Sequence, residues 1–441
     1  MYDRLLKFWD ALRTSFWFIP SLMVLASIVL AQVCLALEDA SFMKNVPQLY
    51  WMYTGGAEGA RGVLQVIAGS MITVAGVVFS ITIVVLSLAS SQLGPRLIRN
   101  FVHDAANQFV LGTFTATFVF CILILREVSS LPDDIFVPHL SISVGFILAL
   151  VSIGVLIYFI HHIAISIQIP NVVAAVGREL DLAIGRNFVQ VSEPVTGYDA
   201  LLAQAALPQG FPDSGLPVVS QGQGFVTLVE DTFLVQTCTS RNCQIQLLKK
   251  PGDYAIPGGT IARVWGVDEV DDSLERDINS GLTLENTRSP VEDLEFAFNN
   301  LVEIAIRALS PGINDPFTAV NCINRIGVGL SRIAREEKFY SPYVYDDKGV
   351  LRLICKRFSF SEIVDSTLAP IRNYGSSSIL VTRRLLEVTG ELAPVSSTEQ
   401  RKILLSHARS ILDAFLVEQR ETSTRKAMQE HFKSVQTALE A

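Results

Sequence analysis

The chain has 441 residues, enough for two or three domains, and half of them are hydrophobic, with a mean hydropathy of +0.39. Charged residues make up 18%, below the ~25% usual for soluble proteins, and the deficit is concentrated in the first third. A net charge of -8 and a pI of about 5.4 exclude the basic surface that phosphate binding needs, so no nucleic-acid partner is expected.

Four apolar runs fill that first third. Phe16 to Leu37 carries no charge and is long enough for a helix to cross the ~30 Å hydrocarbon core. A signal peptide would have a shorter apolar core, roughly 7–15 residues, so an uncleaved anchor is expected, with Trp9, Phe16 and Trp17 in an interfacial belt. Val63 to Leu93 would reach about 46 Å as a helix. It must tilt or project beyond the bilayer, and Gly94-Pro95 stops it. Phe109 to Leu125 and Leu140 to Ile160 follow, separated by the polar stretch from Arg126 to His139. The transmembrane domain is therefore read as residues 1–169, with helices near 16–37, 63–93, 109–125 and 140–160.

Basic residues set the orientation. Arg4, Lys7 and Arg13 precede the first run, Arg96 and Arg99 lie between the second and third, and Arg178 and Arg186 follow the fourth. The opposite side has Lys44, Arg61 and Arg126. The positive-inside bias then puts both termini in the cytoplasm.

The second run carries a stripe of small and polar residues: Gly69, Thr73, Gly76, Ser80, Ser87 and Ser91, with Ile83 filling the gap. Their spacing places them on one helix face. Two readings follow. Small residues let helices approach closely and hydroxyls bond across them, or the hydroxyls line a water-filled pore whose ring an oligomer completes. Thr113, Thr117 and Cys121 on the third run form the expected partner face. The four runs contain no Asp, Glu, Lys or Arg, and no inverted repeat is visible, which argues against an ion-coupled carrier.

Residues 170–219 read as a connector: a helix burying Val173, Val176, Leu180 and Ile184, then a Gly-, Pro- and Ser-rich loop over 205–224. Residues 220–288 read as a small β-rich unit. Phe225, Thr227 and Val229 alternate as a strand does, Gln244 to Leu248 and Ile261 to Trp265 give two more, and Pro251-Gly252-Asp253 and Gly258-Gly259 are turns. The stretch PGDYAIPGGTIARVW resembles half of a biotinyl/lipoyl hammerhead. The modifiable lysine between two methionines is missing, so a plain β-sandwich is expected. Of the six cysteines, Cys238 and Cys243 fall in a short loop without the second pair a zinc site needs. No metal is expected, and the thiols are read as free in a reducing cytosol.

Residues 289–441 read as mainly helical. Ser289-Pro290-Val291-Glu292 has the form of a capping box, followed by Leu294, Phe298, Leu301, Ile304, Ala305 and Ala308 at helical spacing. Ser310-Pro311-Gly312 ends this helix, and Asp315-Pro316 opens another that buries Val320, Ile323, Ile326 and Leu330. The loop SPGINDP thus joins a helical hairpin. A β-hairpin is expected around Asp346-Asp347-Lys348-Gly349, then helices from Ser361, over Ser397 to Glu418 and over Thr422 to Leu439. The fold class is an integral membrane protein, mainly α: four transmembrane helices followed by an α+β cytosolic domain.

The run LVEIAIRALSPGINDPFTAVNCINRI, with SITIVVLSLASSQLGPRLIRNF in the second membrane helix, resembles a bacterial membrane-protein family catalogued as domain of unknown function 2254 (DUF2254). The resemblance implies a multi-pass inner-membrane protein with a cytosolic C-terminal domain, and implies no activity. Every residue of SPGINDP has a turn role. Alternatively the family motif forms a site with Glu303, Arg307, Ser310, Gly312, Asn314 and Asp315: the helix start could bind an anion, or Glu303, Arg307 and Asp315 could form a buried ion-pair network between subunits.

The chain lacks a Walker loop, a His-Glu-x-x-His, a Gly-x-Ser-x-Gly and a dinucleotide fingerprint. His161 and His162 suit a membrane edge better than a metal. The carboxylates Asp268, Glu269, Asp271 and Asp272 lack calcium-loop spacing. No enzyme activity, cofactor or metal is expected. Two functions remain: a homo-oligomeric ion channel or pore with a cytosolic regulatory domain, or a non-conducting membrane scaffold or sensor whose cytosolic domain binds a protein partner or small ligand.

Overall fold

The computed structural model describes residues 17–39, 53–93, 105–131, 134–188, 214–290, 292–336 and 342–441, with Leu207 and Phe211 as isolated positions. The chain divides into two compact units, Met1–Gln168 and Ile169–Ala441.

Among the described residues, the first unit holds four helices long and apolar enough to cross a membrane: α1 (Phe18–Asp39), α2 (Ala57–Leu93), α3 (Ala105–Glu127) and α4 (His139–Ser166). α2 runs for 37 residues, about 55 Å at 1.5 Å per residue, longer than its apolar run alone implies. α4 continues through His161 and His162, and the His162 ring stacks on Tyr158 with centroids 5.6 Å apart. The stretch from Arg126 to His139 contains a short antiparallel hairpin, β1 (Ser129–Leu131) and β2 (Asp134–Phe136), where only a polar connection was expected. The basic residues at positions 4, 7, 13, 44, 96 and 99, the aromatic positions 9 and 16, and the Gly94-Pro95 exit lie outside the described residues.

α3 is the middle helix, packing against α1, α2 and α4. It buries Val110, Phe114, Phe120, Cys121 and Ile124. At Gly112 a Cβ would meet Met23 Sδ and the Pro20 backbone, so glycine sets how closely α1 approaches. Thr117 and Ser152 hydrogen-bond across α3 and α4 at 3.2 Å. The missing start cap of α4 comes from α1: Glu38 accepts from the Leu140 N–H and the Ser141 hydroxyl.

The second unit interleaves helices with two sheets. Its first helix, α5 (Ile169–Phe188), buries Val172, Val173, Val176, Leu180, Ala183 and Ile184. This face packs on α8 (Leu294–Ala308) and α9 (Pro316–Glu336), so the expected connector is part of the unit's own core. The larger sheet has the order β3-β7-β5-β10-β9: β3 (Leu216–Val219), β7 (Thr260–Trp265), β5 (Gln244–Leu247), β10 (Leu351–Ile354) and β9 (Tyr343–Tyr345). Among the described residues, its single parallel pairing joins β5 to β10. The smaller sheet is β6-β4-β8, from Tyr254–Ala255, Gly224–Val229 and Leu282–Glu285.

Two helices share the core of these sheets, α6 (Asp231–Arg241) and α7 (Asp272–Ser280), so the unit is not the plain β-sandwich expected. Four helices complete the chain: α10 (Phe360–Gly375), α11 (Ile379–Glu391), α12 (Thr398–Glu418) and α13 (Thr422–Glu440). Ser359 with Glu362 and Ser397 with Gln400 form capping boxes.

Candidate functional site

Three places bear on function. The first is the outer face of α2. Leu64, Ala68, Met71, Ala75, Val78 and Val85 are buried, and they are the face α2 turns toward its own chain. Gly69, Thr73, Gly76, Ser80 and Ser87 are exposed on the other side, and Ser91 lies in the same helix. A Cβ added at Gly69 or Gly76 would meet nothing within 4 Å. The Thr73 and Ser80 hydroxyls donate to the carbonyls of Gly69 and Gly76 at 2.8 and 2.9 Å. Among the described residues, the stripe positions Gly69, Thr73, Gly76, Ser80 and Ser87 are therefore left out of the packing of this unit. Thr113, Thr117 and Cys121 are buried against the chain's own helices, so they are not the partner face expected for it. Exposed Ile83 within the stripe, and Val66, Val77, Phe79 and Val84 beside it, keep this surface apolar.

The second place is SPGINDP. The carbonyl of Ser310 accepts from the N–H groups of Ile313 and Asn314 at 3.0 and 2.9 Å, and Asp315 N–H returns to Ala308 O at 2.8 Å. Asn314 sits at φ 49°, a left-handed position that Asn tolerates better than most residues. Asp315 Oδ1 accepts from the backbone N–H groups of Phe317 and Thr318 at 3.1 and 3.2 Å. The start of α9 is thus capped by its own Asp315, which takes two of the amides an anion would need. Glu303 and Arg307 approach each other at 3.6 Å one turn apart on α8. Asp315 is not within that pair, so within one chain these residues form two local devices instead of one network. Gly312 and Asn314 are exposed, and Ser310 is half-buried.

The first turn of α8 differs from expectation. Its cap is Asp293, four residues after Ser289, and its side chain accepts from Phe296 N–H at 2.9 Å. Asp293 is buried and takes both Arg288 Nε and Nη2, at 2.6 and 2.9 Å. The helix start is therefore set by Asp293, four residues beyond the expected Ser289 cap.

No sequence motif marks the third place, a cleft of about 1500 Å³ in the second unit. It is walled by the end of α5, the start of α6, the β9–β10 turn and the segment Lys356–Phe358. Asp231 Oδ2 accepts from Arg357 Nη2 at 2.8 Å. Glu292 Oε2 accepts from Val229 N–H at 3.3 Å. Burial pushes the Glu292 carboxyl above its usual range, Asp231 adds to this, and Arg357 opposes it. Asp346 closes the β9–β10 turn by accepting from Lys348 and Val350 N–H, both at 2.9 Å, and pairs with Arg352 Nε at 2.9 Å. α6 begins beside the cleft without a side-chain cap hydrogen bond from Glu230. Aromatic Phe233, Tyr343, Tyr345 and Phe358 supply the apolar wall. Among the described residues no group of three or more His, Cys, Asp or Glu could hold a metal ion.

Four long apolar helices followed by a helical domain with small sheets define a membrane protein. The chain belongs to the family described as Predicted membrane protein (DUF2254), whose profile matches residues 13–391. An uncharacterized protein of Mycobacterium tuberculosis strain H37Rv is 30% identical over 362 residues, covering 80% of this chain and 67% of its own length. Uncharacterized proteins of Mycobacterium bovis and of M. tuberculosis strain CDC 1551 match to the same extent. No solved structure matches.

Proposed function

We propose that the protein is a bacterial inner-membrane sensor: copies associate along the outer face of α2, and the second unit binds a small ligand in its cleft on the cytoplasmic side. The cleft carries this reading. Its size exceeds the roughly 300–1,000 Å³ of ordinary ligand pockets, and it combines an apolar wall with a few fixed polar groups, as binding sites do. The orientation rests on the basic residues flanking the apolar runs. A thermal-shift screen of the full-length protein in detergent, run against nucleotides, amino acids and short peptides, tests the reading. A hit whose stabilisation is lost in Glu292→Ala and Arg357→Ala supports it. A hit that both variants keep, or no hit across the panel, counts against it.

A second reading, a homo-oligomeric channel, draws on the same outer face of α2. Hydroxyls at Thr73, Ser80 and Ser87 would line an axis shared by several copies. Purified protein in planar bilayers separates the two readings. Unitary currents altered by Ser80→Leu favour the channel, and silence across ions and tensions leaves the stripe as a packing face.

A further inference from the structure

Cys238 and Cys243 lie five positions apart, yet their side chains touch. α6 ends in a left-handed residue, Asn242 at φ 52°, and Cys243 N–H returns to the carbonyl of Cys238 at 3.0 Å. This six-to-one closure ends many helices and brings the two side chains that bracket it together. That contact is ordinarily between two apolar groups. Here both are thiols, and both are fully buried.

Their surroundings are charged. Arg352 is buried, and its Nη1 donates to Asn242 Oδ1 at 3.1 Å and to Cys243 O at 3.4 Å. Arg241 precedes the turn and pairs with Asp271 and Asp277. The neighbouring Cys238 thiol holds the Cys243 thiol below its ordinary range; burial opposes this, and Arg352 assists. The Cys243 neighbour, with burial, holds Cys238 above its range. The other two thiols of the second unit stand differently: burial pushes Cys355 up to about 12 and Cys322 up as well.

We infer that Cys238 and Cys243 form a redox-active dithiol, a modification site at the end of α6 whose co-substrate is hydrogen peroxide. The Cys243 thiolate attacks one peroxide oxygen, the O–O bond breaks, and hydroxide leaves with a proton to become water. Cys243 is then a sulfenic acid. Cys238 sulfur attacks it, the new S–S bond forms, and the hydroxyl leaves as a second water with the Cys238 proton. Two thiols lose two electrons, and the peroxide gains them. Asn242, exposed between the two cysteines, is the point at which a local opening admits a small oxidant. The bond would lock the α6–β5 turn. Arg352 transmits the change, because it holds both Cys243 O and the Asp346 carboxylate on the cleft wall.

Full-length protein in detergent, exposed to hydrogen peroxide and then alkylated under denaturing conditions, provides the test. Trypsin cuts after Arg241 and places the two cysteines on separate peptides. The expected product is those two peptides joined by one bond that dithiothreitol reverses, with Cys322 and Cys355 still alkylated as free thiols. In Cys238→Ser the reaction stops at a Cys243 sulfenic acid that dimedone traps. In Cys243→Ser neither product forms. Mapping the untreated and treated wild-type protein decides the matter even if both variants misfold. Oxidation at Cys322 or Cys355 before this pair, or a pair still fully alkylated when those two are lost, overturns the inference.

Discussion

Thr318 donates its hydroxyl to Asp315 Oδ2 at 2.5 Å, while the other oxygen of the same carboxylate takes the Phe317 and Thr318 amides. One side chain thus closes the first turn of α9 and ends the SPGINDP loop. Asp315→Ala removes all three bonds and should cost about 1–2 kcal/mol of stability, the upper range for a helix cap. Asp315→Asn keeps an acceptor and should cost less than half of that. Urea unfolding of both variants in detergent measures the difference. Equal costs would show that the carboxylate does more than cap.

The Arg288–Asp293 pair makes a stronger demand. Asp293 is buried, caps α8 and accepts two bonds from Arg288, whose guanidinium also lies over the Phe296 ring. Arg288→Ala leaves a buried carboxylate without its cation and should destabilise by about 3–5 kcal/mol. Replacing both residues, as Arg288→Met with Asp293→Asn, should recover part of the loss, because no buried charge then remains and Asn still caps. A double-mutant cycle with a coupling near zero would contradict this picture.

Local signals in the sequence make much of this fold legible. The four apolar runs are the four long helices, the Pro-Gly and Asp-Pro steps mark the α8–α9 hairpin, and the helix expected over Ser397 to Glu418 is α12. The rest depends on distant partners. The Ser289 box satisfies a local rule, but Arg288 and Asp293 fix the helix start through a buried pair. Asp231–Arg241 contains Thr, Val and Phe with little helical periodicity, so nothing local marks α6, and Cys238 and Cys243 read as a loop. β10 lies beside β5 only after two long helices intervene, a parallel pairing that pattern alone does not reveal. The cleft draws on α5, α6 and the β9–β10 turn, so no single motif announces it.

Glu292 gives the cleft a pH signature. Its carboxyl is held above the usual range in the folded protein, chiefly by burial. The folded state therefore binds this proton more tightly than the unfolded chain. Its contribution to stability is full below the ordinary carboxylate value, ~4.3, and is lost as pH rises through the raised folded value. Glu292→Gln keeps an acceptor oxygen for Val229 N–H and has no charge to bury. The variant should match the wild type in acid and exceed it at neutral pH. Parallel stability curves across the whole range would refute the assignment.

The outer face of α2 allows folding and assembly to be separated by one substitution. At Gly76 an added Cβ meets nothing within 4 Å among the described residues, so Gly76→Leu should leave the single protomer's thermal stability unchanged. If copies meet along Gly69, Thr73, Gly76 and Ser80, the same leucine stands where a second backbone must approach, and close approach is what small residues in membrane helices permit. Association should then weaken roughly tenfold, about 1.4 kcal/mol, read as the shift in the oligomer–protomer equilibrium when detergent dilutes the protein. A control at Val77, an exposed apolar neighbour off the stripe, should tolerate leucine without that shift. Equal behaviour of the two variants would mean that the stripe faces lipid, and assembly would have to be sought on another surface.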